Sequence, residues 1–85
     1  MPEELVAVVV KFFVRPGVAA LDVTRGSIKK GDLLHYKGRT TDFSQIVGSM
    51  QIDNTPVEEV TAGDTVGLKV IERVRENDRV YKVTE

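Results

Sequence analysis

The stretch LVAVVVKFFV, residues 5–14, determines the fold class of this 85-residue chain. It is dense in valine and phenylalanine, the β-branched and aromatic types that pack well on a pleated surface. A strand with one solvent-exposed face alternates apolar and polar residues. Here both alternating sets are apolar over the first half of the stretch. The stretch therefore predicts a long β-strand that carries a bulge or is covered on both faces.

The residues that follow predict short strands separated by turns. Arg15-Pro16-Gly17 predicts a turn, because proline fixes φ and glycine permits positive φ, and the chain then returns as the second strand of a hairpin. Six strands are predicted in all, at residues 5–14, 18–23, 33–37, 43–53 with a bulge at Gly48, 65–71 and 79–83, with one helical turn at residues 57–60. A flat sheet of six strands would leave two long exposed edges, so we expect one antiparallel barrel domain over residues 1–85.

The core of such a barrel is expected to come from apolar residues of the predicted strands and turns. The candidate core residues are Val6, Val9, Phe12, Val18, Ala20, Val23, Ile28, Leu33, Phe43, Val47, Met50, Ile52, Val57, Val66, Leu68, Val70, Val80 and Val83.

The composition restricts both location and chemistry. Hydrophobic residues make up 41% and charged residues 29%, an ordinary globular mixture, and the net charge is −1. Dedicated nucleic-acid binders usually carry a positive excess, so any RNA contact would need a local basic patch. The chain has no cysteine, which excludes disulfides and thiolate metal sites. The acidic start and the shortness of the apolar run at residues 5–10 favour a cytoplasmic protein without a membrane partner.

Two motifs carry a resemblance to a known family. They are VTRGSIKKGD at residues 23–32 and AGDTVGLKV at residues 62–70. Together they resemble the second domain of translational GTPases such as elongation factor Tu, and short stand-alone proteins that are similar to that domain. The resemblance implies a six-stranded antiparallel Greek-key β-barrel of the translation-protein type. Physically, Gly31 and Gly63 suit positive φ, Asp32 and Asp64 can bond the N–H groups of their turns, and Gly67 permits close strand approach.

The resemblance also implies a function. It predicts a stand-alone, non-catalytic binding module whose partner is RNA or a translation-related protein. No phosphate-binding loop occurs, so we expect no nucleotide, cofactor or metal and no enzymatic activity. The open alternative is a protein–protein docking module or accessory subunit of a larger enzyme, since similar barrels are appended to other enzymes, including collagenase-like peptidases.

Candidate binding residues were sought among the basic side chains, because phosphate contacts come mainly from lysine and arginine. The predicted RNA- or partner-binding residues are Arg15, Arg25, Lys29, Lys30, Lys37 and Arg39, most of them in an expected hairpin at residues 25–39. The alternative, which the sequence favours, is a solvated hairpin whose charges protect it from edge pairing. His35 is expected to be an ordinary strand residue, because no partners for catalysis stand near it in the sequence. Glu58 and Glu59 are expected to be solvated charges, because adjacent strand residues point to opposite faces.

Overall fold

The computed structural model describes residues 2–84, which form ten β-strands and no helix. Within that range there is accordingly no helix that could cross a membrane. The strands are β1 (Glu3–Phe13), β2 (Val18–Val23), β3 (Ser27–Lys29), β4 (Leu33–Lys37), β5 (Asp42–Ile46), β6 (Met50–Ile52), β7 (Thr55–Val57), β8 (Glu59–Thr61), β9 (Thr65–Lys69) and β10 (Arg79–Val83).

The strands form two antiparallel sheets around one hydrophobic core. Eight strands pair in the order β5-β4-β10-β1-β2-β9-β6-β7, and β3 pairs with β8 in a separate ribbon. Ile28 of β3 and Val60 of β8 belong to the same buried cluster as the large sheet. The prediction of an all-β antiparallel fold is confirmed. The six-stranded closed Greek-key barrel is not, because the pairing among residues 2–84 leaves β5 and β7 at the ends of the large sheet.

Strand β1 carries the bulge that its double apolar pattern predicts. The register shifts between Leu5 and Ala7 against β10, and between Val9 and Lys11 against β2. At the first shift Val6 and Ala7 are both buried, although neighbouring residues of a regular strand point to opposite faces. The two bulges therefore let β1 bury apolar residues of both parities.

Three turns share one geometry that positions the strands after them. In each turn the backbone N–H of an aspartate donates to the carbonyl three residues earlier, and its carboxylate accepts from the N–H of that earlier residue. The third turn residue has positive φ, as in a type II turn. The turns are Lys29–Asp32 with Gly31, Thr61–Asp64 with Gly63, and Arg75–Asp78 with Asn77. The predicted roles of Gly31, Gly63, Asp32 and Asp64 are confirmed.

Residues 43–61 differ from the sequence-based expectation. The single strand predicted at 43–53 is two strands, β5 and β6, with Val47, Gly48 and Ser49 between them. Asp53 and Asn54 both adopt positive φ and form a two-residue hairpin turn between β6 and β7, as a type I′ turn requires. The predicted helical turn at residues 57–60 is wrong, because that region ends β7 and begins β8, which pairs with β3.

The core follows the predicted residues in part. Those that are buried as predicted are Val6, Val9, Val23, Ile28, Val47, Met50, Val66, Leu68, Val70 and Val80. The others are half-buried: Phe12, Phe43, Ile52 and Val57 pack against the core, whereas Val18, Ala20, Leu33 and Val83 have the parity of the outer face. In β4, Leu34 and Tyr36 are buried instead of Leu33, so the prediction had the wrong parity there.

Candidate functional site

The outer side of four neighbouring strands, β5, β4, β10 and β1, carries five apolar side chains in two adjacent rows. Strand register places Leu5, Tyr81, His35 and Ser44 in one row across these strands. The adjacent row contains Glu3, Val83, Leu33 and Ile46. In β4 and β10 the residues of these rows have the parity opposite to the buried residues, and Ile46 of β5 is 55% exposed. We call these two rows, with Asp42, the His35 face.

His35 lies at the centre of this face between two carboxylates. Its Nδ1 is 2.8 Å from Glu3 Oε2, and its Nε2 is 2.5 Å from Asp42 Oδ1. Glu3 is two strands away from His35, so their side chains meet across β10. The hydrogen bonds with Asp42 and then Glu3 raise the pKa of His35 above its usual 6.5, and the bond with His35 lowers the pKa of Asp42 below 3.8. The arrangement favours an imidazolium ring that donates to both carboxylates.

This geometry favours a binding role for the face over a chemical one. With both ring nitrogens engaged, His35 has no free lone pair to accept a proton or to bind a metal. Among residues 2–84, no group of three or more His, Cys, Asp or Glu side chains is arranged to hold a metal ion. The His35 cluster was not predicted, because Glu3 is 32 residues from His35 in the chain and Asp42, seven residues away, meets it only through the pairing of β4 with β5.

A second surface is a groove on the outer side of β1, β2, β9 and β6. Its volume is about 410 Å³. Ala20 and Gly67 pair directly and form its floor, and Gln51 continues that row on β6. Phe13, which is 44% exposed, forms one wall beside Val18. We call this feature the Phe13 groove.

Cations surround the Phe13 end of this groove. Lys11 Nζ lies 5.2 Å from the centroid of the Phe13 ring, a cation–π contact. Arg15 lines the groove from the β1–β2 turn, and Lys69 pairs with Val18 in the row that also holds Phe13. In the part of the chain that the structure describes, none of these three cations forms an ion pair.

The six predicted basic residues lie in three separate places. Arg15 is at the Phe13 groove, and Lys37 and Arg39 line a depression beside the β4–β5 turn. Arg25, Lys29 and Lys30 lie near the β3–β8 ribbon, where Lys30 Nζ is 3.1 Å from Glu58 Oε2 and Lys29 pairs with Glu59. Strand β4 separates the last two groups by about 13 Å, at 3.3 Å per residue. The expected hairpin at residues 25–39 does not form, since β3 pairs with β8. Whether these residues contact a partner stays a prediction.

The buried polar group in the depression beside the β4–β5 turn holds the fold together. Asp78 is buried there, and its Oδ2 accepts hydrogen bonds from Thr41 Oγ1 at 2.5 Å and from the Arg75 N–H at 2.8 Å. Gly38 lies against the same carboxylate. Because this carboxylate is satisfied within the chain, it does not point to a ligand.

Comparisons with known proteins relate the chain to parts of larger proteins. A protein of Methanocaldococcus jannaschii, described as an uncharacterized protease, is 38% identical over 78 residues, which are 91% of this chain and 19% of that protein. A collagenase of Porphyromonas gingivalis is 32% identical over 74 residues, which are 86% of this chain and 20% of the collagenase. The chain thus spans about a fifth of the length of the curated relatives it matches. No protein-family profile matches it.

A comparison with solved structures shows which fold this chain shares. The C-terminal domain of a Geobacillus thermoleovorans protein described as a U32 peptidase superimposes with a TM-score of 0.87. The match covers 95% of this chain and 93% of that domain, at 17% sequence identity. At that identity the match establishes a shared fold and nothing more.

These matches correct the functional interpretation of the sequence. The assignment to elongation factor Tu domain 2 is wrong, and so is the translation- or RNA-linked module that it implied. The reason is physical: the Gly-Asp motifs behind it form turns, and the same turn recurs at Arg75–Asp78 with Asn77 in place of glycine. Such motifs specify strand connections, which proteins of different function can share.

Proposed function

We propose that this chain is an accessory domain of a U32-type peptidase system, which docks on the peptidase unit through the His35 face and contributes no catalytic group. Two relatives with protease or collagenase names contain a segment similar to this chain, and that segment is a minor part of each. The observation that carries the docking role is the partly exposed apolar surface of Leu33, Ile46, Tyr81 and Val83 on a sheet that has no covering layer there among residues 2–84.

The size of the His35 face favours contact with a tethered or weakly bound partner. Four strands at about 4.8 Å spacing span roughly 19 Å, and the two residue rows, with Asp42 beyond them, cover a similar or shorter length along the strands. Such a face contributes a few hundred Å², which fits interfaces between domains and falls below the roughly 800 Å² per partner of stable complexes. We therefore expect a dissociation constant on the order of 10 µM when the partners are separate chains.

Binding in trans to a truncated relative tests the proposal. The Methanocaldococcus relative is produced without the segment that matches this chain, and the 85-residue chain is titrated into it by isothermal calorimetry. We expect a one-to-one complex. Ile46→Glu should weaken it at least about tenfold, because the substitution places a charge inside an apolar contact.

Val14→Glu is the matched control. Val14 is also an exposed apolar residue, 68% accessible, but it lies in the β1–β2 turn away from the His35 face. This variant should bind as the unmodified chain does. Absence of binding at chain concentrations of roughly 200 µM, well above the expected constant, or equal losses in both variants would contradict the docking proposal.

A further inference from the structure

We propose that the Phe13 groove binds an extended peptide segment in which an acidic side chain stands next to an apolar one. This proposal goes beyond the docking role and does not depend on it, since the groove lies on β2, β9 and β6 and on the other half of β1. Its support comes from three features: an open floor, an exposed aromatic wall and an unpaired cluster of cations.

The floor of the groove is kept low by a glycine that the fold itself does not require. A Cβ at Gly67 would lie 3.4 Å from Val18 Cγ1 and 3.8 Å from the Gln51 carbonyl oxygen, both ordinary contacts. Its φ is outside the left-handed region, so alanine would also be unstrained. With Ala20 beside it, Gly67 leaves a strip where an extended backbone can approach the sheet closely.

The wall supplies the apolar contact. Phe13 and Val18 face each other across β1 and β2 on the outer side, and Phe13 keeps nearly half of its surface in solvent. An exposed aromatic ring beside a shallow apolar floor is typical of surfaces that bind peptide side chains.

The charges orient the peptide. Lys11, Arg15 and Lys69 cluster near the Phe13 wall, and none is neutralised by an acidic side chain in residues 2–84. At the far end the groove is lined by Gln51, Asp53 and Asn54. Asp22 on the neighbouring row accepts a hydrogen bond from Thr65 Oγ1 at 2.7 Å. A carboxylate on the ligand is therefore favoured at the Phe13 end, with its apolar neighbour against the ring.

The test uses the 85-residue chain and two matched peptide libraries. One library contains heptapeptides with Glu or Asp adjacent to Leu, Ile or Phe in each order, and the other has Gln or Asn in place of the acids. Backbone amide shifts of the chain are followed by NMR during titration. We expect perturbations at Phe13, Gln51 and Gly67, with the acidic library binding at least about fivefold more tightly, roughly 1 kcal/mol.

Three substitutions sharpen the test. Arg15→Gln should reduce the preference for acidic peptides, whereas Arg25→Gln, which removes an exposed cation outside the groove, should leave it unchanged. Gly67→Ala should weaken both libraries about equally while the chain remains folded, because it raises the floor without straining the backbone.

Equal affinity of the two libraries would overturn the proposed acidic preference. Perturbations confined to other surfaces, or no perturbation at all, would overturn the groove as the site. Neither result would bear on docking through the His35 face, which is measured with a different partner and different variants.

Discussion

Strand order, and not sequence neighbourhood, brings one partner each to His35 and Asp78. Glu3 reaches His35 across an intervening strand, and Thr41 Oγ1 donates to a carboxylate 37 residues away. Each contact connects parts of the chain that are far apart in sequence, so a single substitution there can be detected in the stability of the whole domain.

The His35 cluster predicts a pH dependence of stability. The pKa of His35 is raised, so its stabilising effect is fully present below the usual value of 6.5 and is lost as pH rises through the raised pKa. The pKa of Asp42 is lowered, so its effect is present above 3.8 and is lost as pH falls through the lowered pKa. The cluster should therefore stabilise the chain most between pH 3.8 and pH 6.5.

Thermal unfolding measured from about pH 3 to pH 9 checks this expectation. The Tm difference between the unmodified chain and His35→Gln should be largest in the mildly acidic range and should shrink towards both ends. A difference that stays constant over the whole range would show that the ionised cluster does not contribute.

Gly38 and Gly48 make a matched pair for a second prediction. A Cβ at Gly38 would overlap the buried Asp78 carboxylate, whereas a Cβ at Gly48 would meet nothing within 4 Å. Gly38→Ala should lower the free energy of unfolding by about 2–3 kcal/mol, because it forces apart a packed hydrogen-bonded group. Gly48→Ala should be neutral or slightly stabilising. Urea denaturation measures both, and similar effects of the two substitutions would refute the close approach at Gly38.

At the scale of elements, strand length and the turns that bound each strand explain why some strands could be predicted and others could not. Strands β2, β4 and β10 match the predicted residues, since each is long enough to show a pattern and is bounded by turn residues. Strands β3 and β8 have three residues each and pair only with one another, which is too short for a periodic signal. The break between β5 and β6 was missed as well, because Gly48 was interpreted as a bulge within one strand and not as the end of that strand.

The three turns that end in Asp32, Asp64 and Asp78 yield a prediction about backbone conformation. Gly63 has a φ of +100° with open space around its Cβ position, and Asn77 occupies the equivalent position with a φ of +73°. Gly63→Ala should cost about 1 kcal/mol through backbone strain alone. Gly63→Asn should cost less, because asparagine tolerates the left-handed region. Urea denaturation measures both, and a loss for Gly63→Asn equal to or larger than that for Gly63→Ala would contradict the role of φ in this turn.

For the whole molecule, the sequence predicted the class of fold and little of its surfaces. The all-β assignment follows from residue types and turns, which are local properties. The His35 face and the Phe13 groove each combine residues of four strands, and neighbours across a sheet depend on strand order and register. Arg15 was identified from its charge, but its position beside Phe13 and Gly67 is visible only once β1, β2 and β9 are paired.

The position of β10 has a consequence for how the protein is made. The last strand lies between β4 and β1, so without it the large sheet is divided into two parts, β5-β4 and β1-β2-β9-β6-β7. Synthesis runs from the N-terminus to the C-terminus, so the edge of β1 that pairs with β10 stays unpaired until the segment between Phe13 and Arg79 has also been synthesised. Pairing between strands so distant in sequence is intrinsically slow. The newly made protein is therefore most vulnerable to aggregation and to proteases in the interval before β10 leaves the exit tunnel.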